Sequence, residues 1–191
     1  MPLATLATPP TRYTKTAMLL HWLIAILIIG AFTMGLVMTD IPGFTPTKLK
    51  YYSWHKWAGV TVLALAALRL LWRRANRPPA HPAGMPAWQI RAADVTHVAL
   101  YVLMFAVPLS GYFFSLAAGY PVVYFSKFPL PVLIGPDPVL RETLRGLHYW
   151  LNMLLAGLVA LHVLAALKHL LIDRDGIMQR MLPISTPKEK S

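Results

Sequence analysis

Two histidines, His148 and His162, lie fourteen residues apart within one long apolar stretch, and their spacing is the feature of this chain most able to support chemistry. Fourteen residues make almost four turns of an α-helix, so both imidazoles project from the same face, about 21 Å apart along the axis. The stretch 147–172 is long enough to cross a bilayer, whose hydrocarbon core is about 30 Å thick. A buried imidazole in lipid is costly and needs a partner. The pair therefore predicts two cofactors on one helix, one towards each side of a membrane.

The composition is that of an integral membrane protein. Of 191 residues, 57% are hydrophobic and 13% are charged. Four apolar segments, approximately 16–38, 53–72, 94–116 and 144–172, each approach or exceed the length of about 20 residues that spans a bilayer. We therefore predict an all-α membrane protein, a four-helix transmembrane bundle that forms one domain over residues 1–191. The first segment lacks a small-residue cleavage site, so we expect it to be retained rather than removed as a signal peptide.

The basic residues divide unequally between the two sides of this bundle. Twelve Lys and Arg residues lie at the helix ends and loops on one side of the membrane, and six lie on the other side. The richer side should be cytoplasmic, and both termini then lie in the cytoplasm. The net charge of +11 follows from this bias, and nucleic-acid binding is not expected, because no soluble basic domain is present to carry it.

Two more histidines provide partners for the first pair. His21 lies near the cytoplasmic start of the first span, and His55 lies near the outer start of the second. The fourth span runs from outside to inside, so His148 is outer and His162 is inner. Depth in the membrane therefore pairs His55 with His148 and His21 with His162.

The cofactor that suits these pairs is a low-spin haem b bound by two imidazoles. The chain has no cysteine, which excludes thiolate-ligated clusters and covalent c-type attachment, and zinc would need four ligands where each pair offers two. Arg69 lies fourteen residues after His55, on the same helix face and at the depth of the inner histidine pair. There its guanidinium could pair with a haem propionate. Gly35 and Gly59 lie near the outer site, where glycine allows a flat macrocycle close to the backbone. Packing histidines, a snorkelling arginine and ordinary helix-contact glycines remain the plainer alternatives.

An apolar, aromatic and proline-rich loop joins the third and fourth spans. Residues 119–136 read GYPVVYFSKFPLPVLIGP, which is too short and too broken to span a membrane. We predict a lid that lies over the outer end of the bundle, with an ordinary amphipathic connector as the alternative.

The segments around the four histidines are similar in sequence to a known protein family. They read LLHWL in the first span, WHKWAGV followed by LRLLWR in the second, and LRGLHYWLNMLLAGLVALHVLAALKH in the fourth, with THVALYVLMFAVPLSGY in the third. In these segments the chain resembles the bacterial cytochrome b-561 family of small di-haem membrane proteins, in particular its superoxide oxidase type. The resemblance covers approximately residues 12–182.

The resemblance implies electron transfer through two haems in the bacterial inner membrane. Superoxide would be oxidised at the periplasmic face and ubiquinone reduced near the inner haem. By resemblance, His169 falls near the quinone with Lys168 beside it, and Arg145 falls on a basic position at the outer mouth. Some relatives have another histidine at the position of Lys168, which leaves the quinone contacts open. His97 could pair with Asp94, either as a local cap or as a proton relay on the quinone side.

The charges at the outer end are consistent with an anionic substrate. A mouth lined by Arg145, Arg141 and Lys56, with Lys127 nearby, would steer superoxide towards the outer haem. Ordinary interface anchoring would explain the same cations.

Two other functions remain open. The protein could instead be an electron-transfer module between the quinone pool and a separate periplasmic redox partner, which would require a broad docking surface. It could also be a haem-free transporter or metal channel that uses the same histidines. A reduced-minus-oxidised optical spectrum separates the last hypothesis from the first two.

Overall fold

Four long helices form the architecture in the computed structural model, which describes residues 11–82 and 84–182. The all-helical prediction is confirmed, with one short hairpin as the only addition among the described residues. The helices are α1 (Lys15–Asp40), α2 (Pro46–Ala75), α3 (Ala87–Ala117) and α4 (Pro138–Lys168). The hairpin strands are β1 (Val123–Tyr124) and β2 (Phe128–Pro129), and α4 continues as a π-helical turn (His169–Asp173) followed by a 3-10 turn (Met178–Arg180).

Three of the helices begin at side-chain caps that are visible in the sequence. Thr14, Thr45 and Asp137 each accept a hydrogen bond from a backbone N–H in the first turn of α1, α2 and α4. Pro46 and Pro138 follow two of these caps, at a position where proline's fixed φ suits a helix and its missing N–H costs nothing. The caps extend α2 and α4 by several residues beyond the apolar stretches predicted to span the membrane.

Within the described residues, three helices are long and apolar enough to cross a membrane. They are α1, α3 and the continuous helix Pro138–Asp173 that contains α4. Charged side chains such as Lys56 and Arg69 interrupt the apolar sequence of α2, so its composition alone does not support the span predicted over 53–72. Packing places α2 in the bundle, because it contacts α1 on one side and α3 on the other.

The middle of the bundle is packed by small clusters of aliphatic side chains. Ile24, Ala66 and Met104 join α1, α2 and α3, and Leu103 and Leu155 join α3 to α4. Leu155 lies seven residues from both His148 and His162, so this layer is midway between the two histidines of α4. Many of the other large apolar side chains are exposed, as expected for surfaces that face lipid tails.

The two ends of the described chain meet at one end of the bundle. The Tyr13 backbone N–H donates to the Arg180 carbonyl over 3.3 Å, and the Trp22 indole N–H donates to the Met181 carbonyl over 2.9 Å. Arg180 also donates to the carbonyl of Ala80 in the loop between α2 and α3. The segment after α4 therefore folds back across the same end of the bundle at which α1 begins and α2 ends.

The segment 119–136 lies at the opposite end, against α2. Its hairpin turns at Phe125 and Ser126, which both have positive φ, 49° and 57°. The Trp57 indole N–H donates to the Val123 carbonyl over 2.8 Å, and Thr61 shares a 2.9 Å hydrogen bond with the Tyr124 hydroxyl. Because these two hydrogen bonds fix the hairpin to α2, the segment covers part of the cavity described below.

Candidate functional site

His55 on α2 and His148 on α4 face each other at the end of the bundle that carries the segment 119–136. Their ring centres are 6.2 Å apart, and the ring planes are inclined at 88°. A metal ion bonded to one nitrogen of each ring at about 2.0 Å places the ring centres roughly 6 Å apart. Both imidazoles line a cavity of about 1370 Å³ that all four helices enclose. The spacing and the room therefore fit a metal-centred macrocycle held by two imidazoles.

The hydrogen bonds of this pair orient both rings for such a ligand. His55 Nδ1 lies 3.0 Å from the Ala31 carbonyl oxygen on α1, and His148 Nδ1 lies 3.1 Å from the Val107 carbonyl oxygen on α3. Ser110 lies 3.0 Å from the same His148 nitrogen and donates its own proton to Val107. Because a carbonyl only accepts, each Nδ1 carries the hydrogen and each Nε2 is left with a lone pair for a metal.

Glycines allow the two rings to lie against neighbouring helices. A Cβ added to Gly111 on α3 would lie 2.8 Å from His148 Cε1, closer than real Cβ contacts, so this position needs glycine. A Cβ on Gly35 would lie 3.3 Å from His55 Cε1, so the backbone of α1 packs closely against the His55 ring at this residue. Gly59 lines the cavity, and a Cβ there would meet open space. Sequence reasoning singled out Gly35 and Gly59 but missed Gly111.

The predicted cations at the outer mouth gather around the same cavity. Lys56, Arg141 and Arg145 all line it, while Lys127 lies in the exposed hairpin turn. Arg141 and Arg145 also form ion pairs with the two carboxylate oxygens of Glu142, over 2.8 and 2.9 Å. Glu142 offsets one of the positive charges that line the cavity, and the lining stays net positive.

The opposite end of the bundle brings together three imidazoles. The ring centres of His21 and His162 are 6.2 Å apart and the ring planes are inclined at 72°, so this pair repeats the spacing of the outer pair. His97 lies beside His162 as well, with the ring centres 5.5 Å apart. His21 Nδ1 is buried and has no hydrogen-bond partner within the described residues. A buried nitrogen that lacks a hydrogen-bond partner is expected where a bound group supplies the missing contact.

Arg69 lies near this inner end but faces aromatic and basic neighbours. Its guanidinium lies over the Tyr101 ring, 5.6 Å from the ring centre, and Arg73 lies over the same ring at 5.9 Å. Both arginines line a small pocket of about 30 Å³ together with Tyr13 and Arg77. The lining residues include no carboxylate, so the pocket suits an anionic group such as a propionate.

Within the described residues, His97 and Asp94 are close enough for their charges to interact but form no hydrogen bond or ion pair. Asp94 instead lies 3.5 Å from Nε2 of His81, whose side chain is 42% exposed. The sequence spacing was compatible with a pair one turn apart, but the His97 ring contacts His162 and Asp94 contacts the preceding loop.

His169 and Lys168 lie at the inner end of α4, and both contact acidic residues that sequence reasoning missed. His169 Nδ1 lies 2.6 Å from an oxygen of Asp175 and 3.1 Å from one of Asp173. Lys168 Nζ lies 2.5 Å from the same Asp173 oxygen. A ring nitrogen of His169 and one carboxylate oxygen each of Asp173 and Asp175 all lie within 4.8 Å of one another. Only the chain reversal after α4 brings Asp175 back to His169, so spacing along a helix could not reveal this contact.

Comparisons with known proteins match nearly the whole chain. The model of the prokaryotic cytochrome b561 family matches residues 12–183. Cytochrome b561 homolog 2 of Escherichia coli K12 is 34% identical over 174 residues, which cover 91% of this chain and 92% of that protein. Cytochrome b561 homolog 1 of the same organism is 29% identical, over 90% of this chain and 97% of that protein. The probable superoxide oxidase CybB of Yersinia pestis is 28% identical, over 90% of this chain and 96% of that protein.

Proposed function

The chain belongs to the prokaryotic cytochrome b561 family, a family of membrane proteins that bind b-type haem and transfer electrons, and from that premise we propose that it passes electrons from superoxide to ubiquinone. The proposal comprises two haem b groups, one at each pair of facing histidines. It places the protein in the bacterial inner membrane with both termini in the cytoplasm.

Four histidines would hold the two groups. His55 and His148 would bind the outer haem, and His21 and His162 would bind the inner one. The support is the repeated 6.2 Å separation of ring centres in the two pairs. At the outer pair, the carbonyl acceptors fix each Nδ1–H and so leave each Nε2 free for the metal.

When bound, the haem groups supply one-electron redox chemistry: two superoxide ions become two molecules of dioxygen, and their two electrons with two protons convert ubiquinone to ubiquinol. The protein's part at the outer end is electrostatic. Lys56, Arg141 and Arg145 line the cavity and would raise the local concentration of a small anion. In the middle, the aliphatic side chains around Leu155 place no polar group between the two ends.

At the inner end, the residues proposed to serve ubiquinone are His169, Lys168 and His97. His169 would donate a proton to a quinone oxygen, and its position directly after α4 supports a site at the membrane boundary. Arg69 lies in the acid-free pocket nearby, where it would pair with a propionate of the inner haem.

One observation carries the proposal. The facing pair His55 and His148 opens on a cavity whose lining also holds four cationic side chains, Lys48 among them, and one carboxylate. The site therefore combines a candidate redox centre with a net positive charge that attracts an anion. Stopped-flow mixing of the oxidised protein with superoxide should reduce haem rapidly, and added ubiquinone should then reoxidise it.

The possible results separate the competing functions. Sharp b-type bands with no reduction by superoxide would reject the oxidase and favour an electron-transfer module with a separate periplasmic partner. Absence of b-type bands from the purified protein would reject both and leave a haem-free transporter.

A further inference from the structure

The inner end of α4 carries a sheltered cluster of charged groups around His169. Within the described residues, His169 Nδ1 contacts a carboxylate oxygen of Asp175, at 2.6 Å, and one of Asp173, at 3.1 Å. The His169 side chain is only 14% exposed, so water weakens these contacts less than it weakens a surface ion pair. Lys168 binds the same oxygen of Asp173 and already offsets its charge.

The backbone is shaped to make this contact. The α-helix widens into a π-helical turn at His169–Asp173, and Arg174 then adopts a left-handed conformation with φ 51°. Gly176 also has a positive φ, 77°, so the chain reverses and returns Asp175 to His169. Single π-helical turns are rare and occur frequently at functional sites. A non-glycine residue in the left-handed region costs free energy, which the ion pair helps to offset.

Asp175 is itself anchored on both oxygens. Its Oδ1 accepts a hydrogen bond from the Ile177 backbone N–H over 3.1 Å, while its Oδ2 faces His169 Nδ1. An ionised carboxylate only accepts hydrogen bonds, so Nδ1 must carry the hydrogen. The ring is therefore held in one orientation, and Nε2 is the nitrogen that donates a proton when the imidazole is charged.

We propose that Asp175 is a positioning residue that fixes His169 for proton delivery to ubiquinone. The inference rests on the proposed function and adds a role that the electron route does not require. Each ubiquinone receives two electrons from the haem groups and two protons, which leave His169 Nε2 one at a time. Water at the inner face returns each proton to the imidazole, and Asp175 keeps its contact with Nδ1 throughout.

The test uses the full-length, haem-loaded protein in lipid nanodiscs. The haem groups are reduced chemically and then oxidised with ubiquinone-1, and kcat, KM and the solvent deuterium isotope effect are measured. In Asp175→Asn we expect kcat to fall about tenfold or more, as is usual when the partner of a working histidine is lost. The KM for quinone and its binding to the oxidised protein should change by less than about twofold, and the isotope effect should rise because proton transfer becomes rate-limiting.

Three variants serve as controls. Asp175→Glu keeps the charge and should restore most of the rate. Asp40→Asn removes a carboxylate at the far end of α1, away from His169, and should behave as the wild type. Asp173→Asn should have a smaller effect than Asp175→Asn, because its contact with His169 is longer and is shared with Lys168.

The failure of this inference differs from the failure of the proposed function. If ubiquinone-1 does not oxidise the reduced wild type, the proposed function is wrong. If it does, and Asp175→Asn matches Asp40→Asn in rate and isotope effect, only the role of Asp175 is overturned. If Asp175→Asn does not assemble, the test uses Asp175→Glu instead. A rate of quinone reduction in Asp175→Glu as low as that in His169→Gln would overturn the inference.

Discussion

Gly111 gives the sharpest test of how the outer histidine is held. In Gly111→Ala the new Cβ would lie 2.8 Å from His148 Cε1 and 3.2 Å from its Nδ1. Carbon atoms normally approach to about 3.5–4.0 Å, so the ring must retreat by about 1 Å. A displacement of that size breaks the 3.1 Å contact between Nδ1 and the Val107 carbonyl. Loss of such a supporting hydrogen bond typically weakens metal binding by about 10–100-fold.

The assay is the number of haem groups per polypeptide, measured as the pyridine haemochrome, together with the electron paramagnetic resonance spectrum of each centre. We expect Gly111→Ala to lose the outer haem and to keep the inner one. Alanine favours a helix over glycine by up to about 1 kcal/mol, so weakening of α3 would not explain the loss. Gly157→Ala is the matched control, because a Cβ there meets open space on α4. Two haem groups with unchanged spectra in Gly111→Ala would refute the reasoning.

The other predictions concern the remaining parts of the site. Replacement of His148 with Ala should remove the outer haem and spare the inner one, as measured by redox titration; two intact centres would contradict the pairing. Neutralising Lys56 and Arg145 should slow the consumption of superoxide and flatten its dependence on salt in stopped-flow experiments, because steering by charge is screened. Replacement of Glu142 with Gln should have the opposite effect on the rate, and unchanged kinetics in both variants would argue against steering. His169→Gln should slow quinone reduction by about 100-fold with both haem groups retained, and normal quinone kinetics would remove His169 from that site.

The helices were largely predictable from the sequence because lipid imposes a simple rule on length and composition. The predicted segment 53–72 became Pro46–Ala75, since Thr45 caps the helix and charged residues continue it past the apolar stretch. The signal for this extension was present in the Thr-Pro pair at the start of α2. The same charges explain why α2 does not qualify as a span on composition alone.

The histidine pairs were predictable for a related reason. Along a helix, spacing fixes both face and depth, so the sequence alone assigns His148 and His162 to opposite ends of the fourth span. Contacts that depend on a neighbouring helix or a chain reversal left no such periodic signal. Gly111 is needed only because α3 presses against the His148 ring, and Asp175 reaches His169 only through the left-handed turn at Arg174.

The aliphatic layer in the middle of the bundle has an electrical consequence. Ile24, Met104 and Leu155 offer no group that carries a proton, so an electron that crosses this layer travels without a compensating charge. With superoxide outside and protons drawn from the cytoplasm, every turnover would make the cell interior more negative. A potential of 100 mV opposes each such charge by about 2.3 kcal/mol. The protein would then increase the membrane voltage, and that voltage would slow further electron transfer. An ionophore that dissipates the voltage would therefore raise the rate.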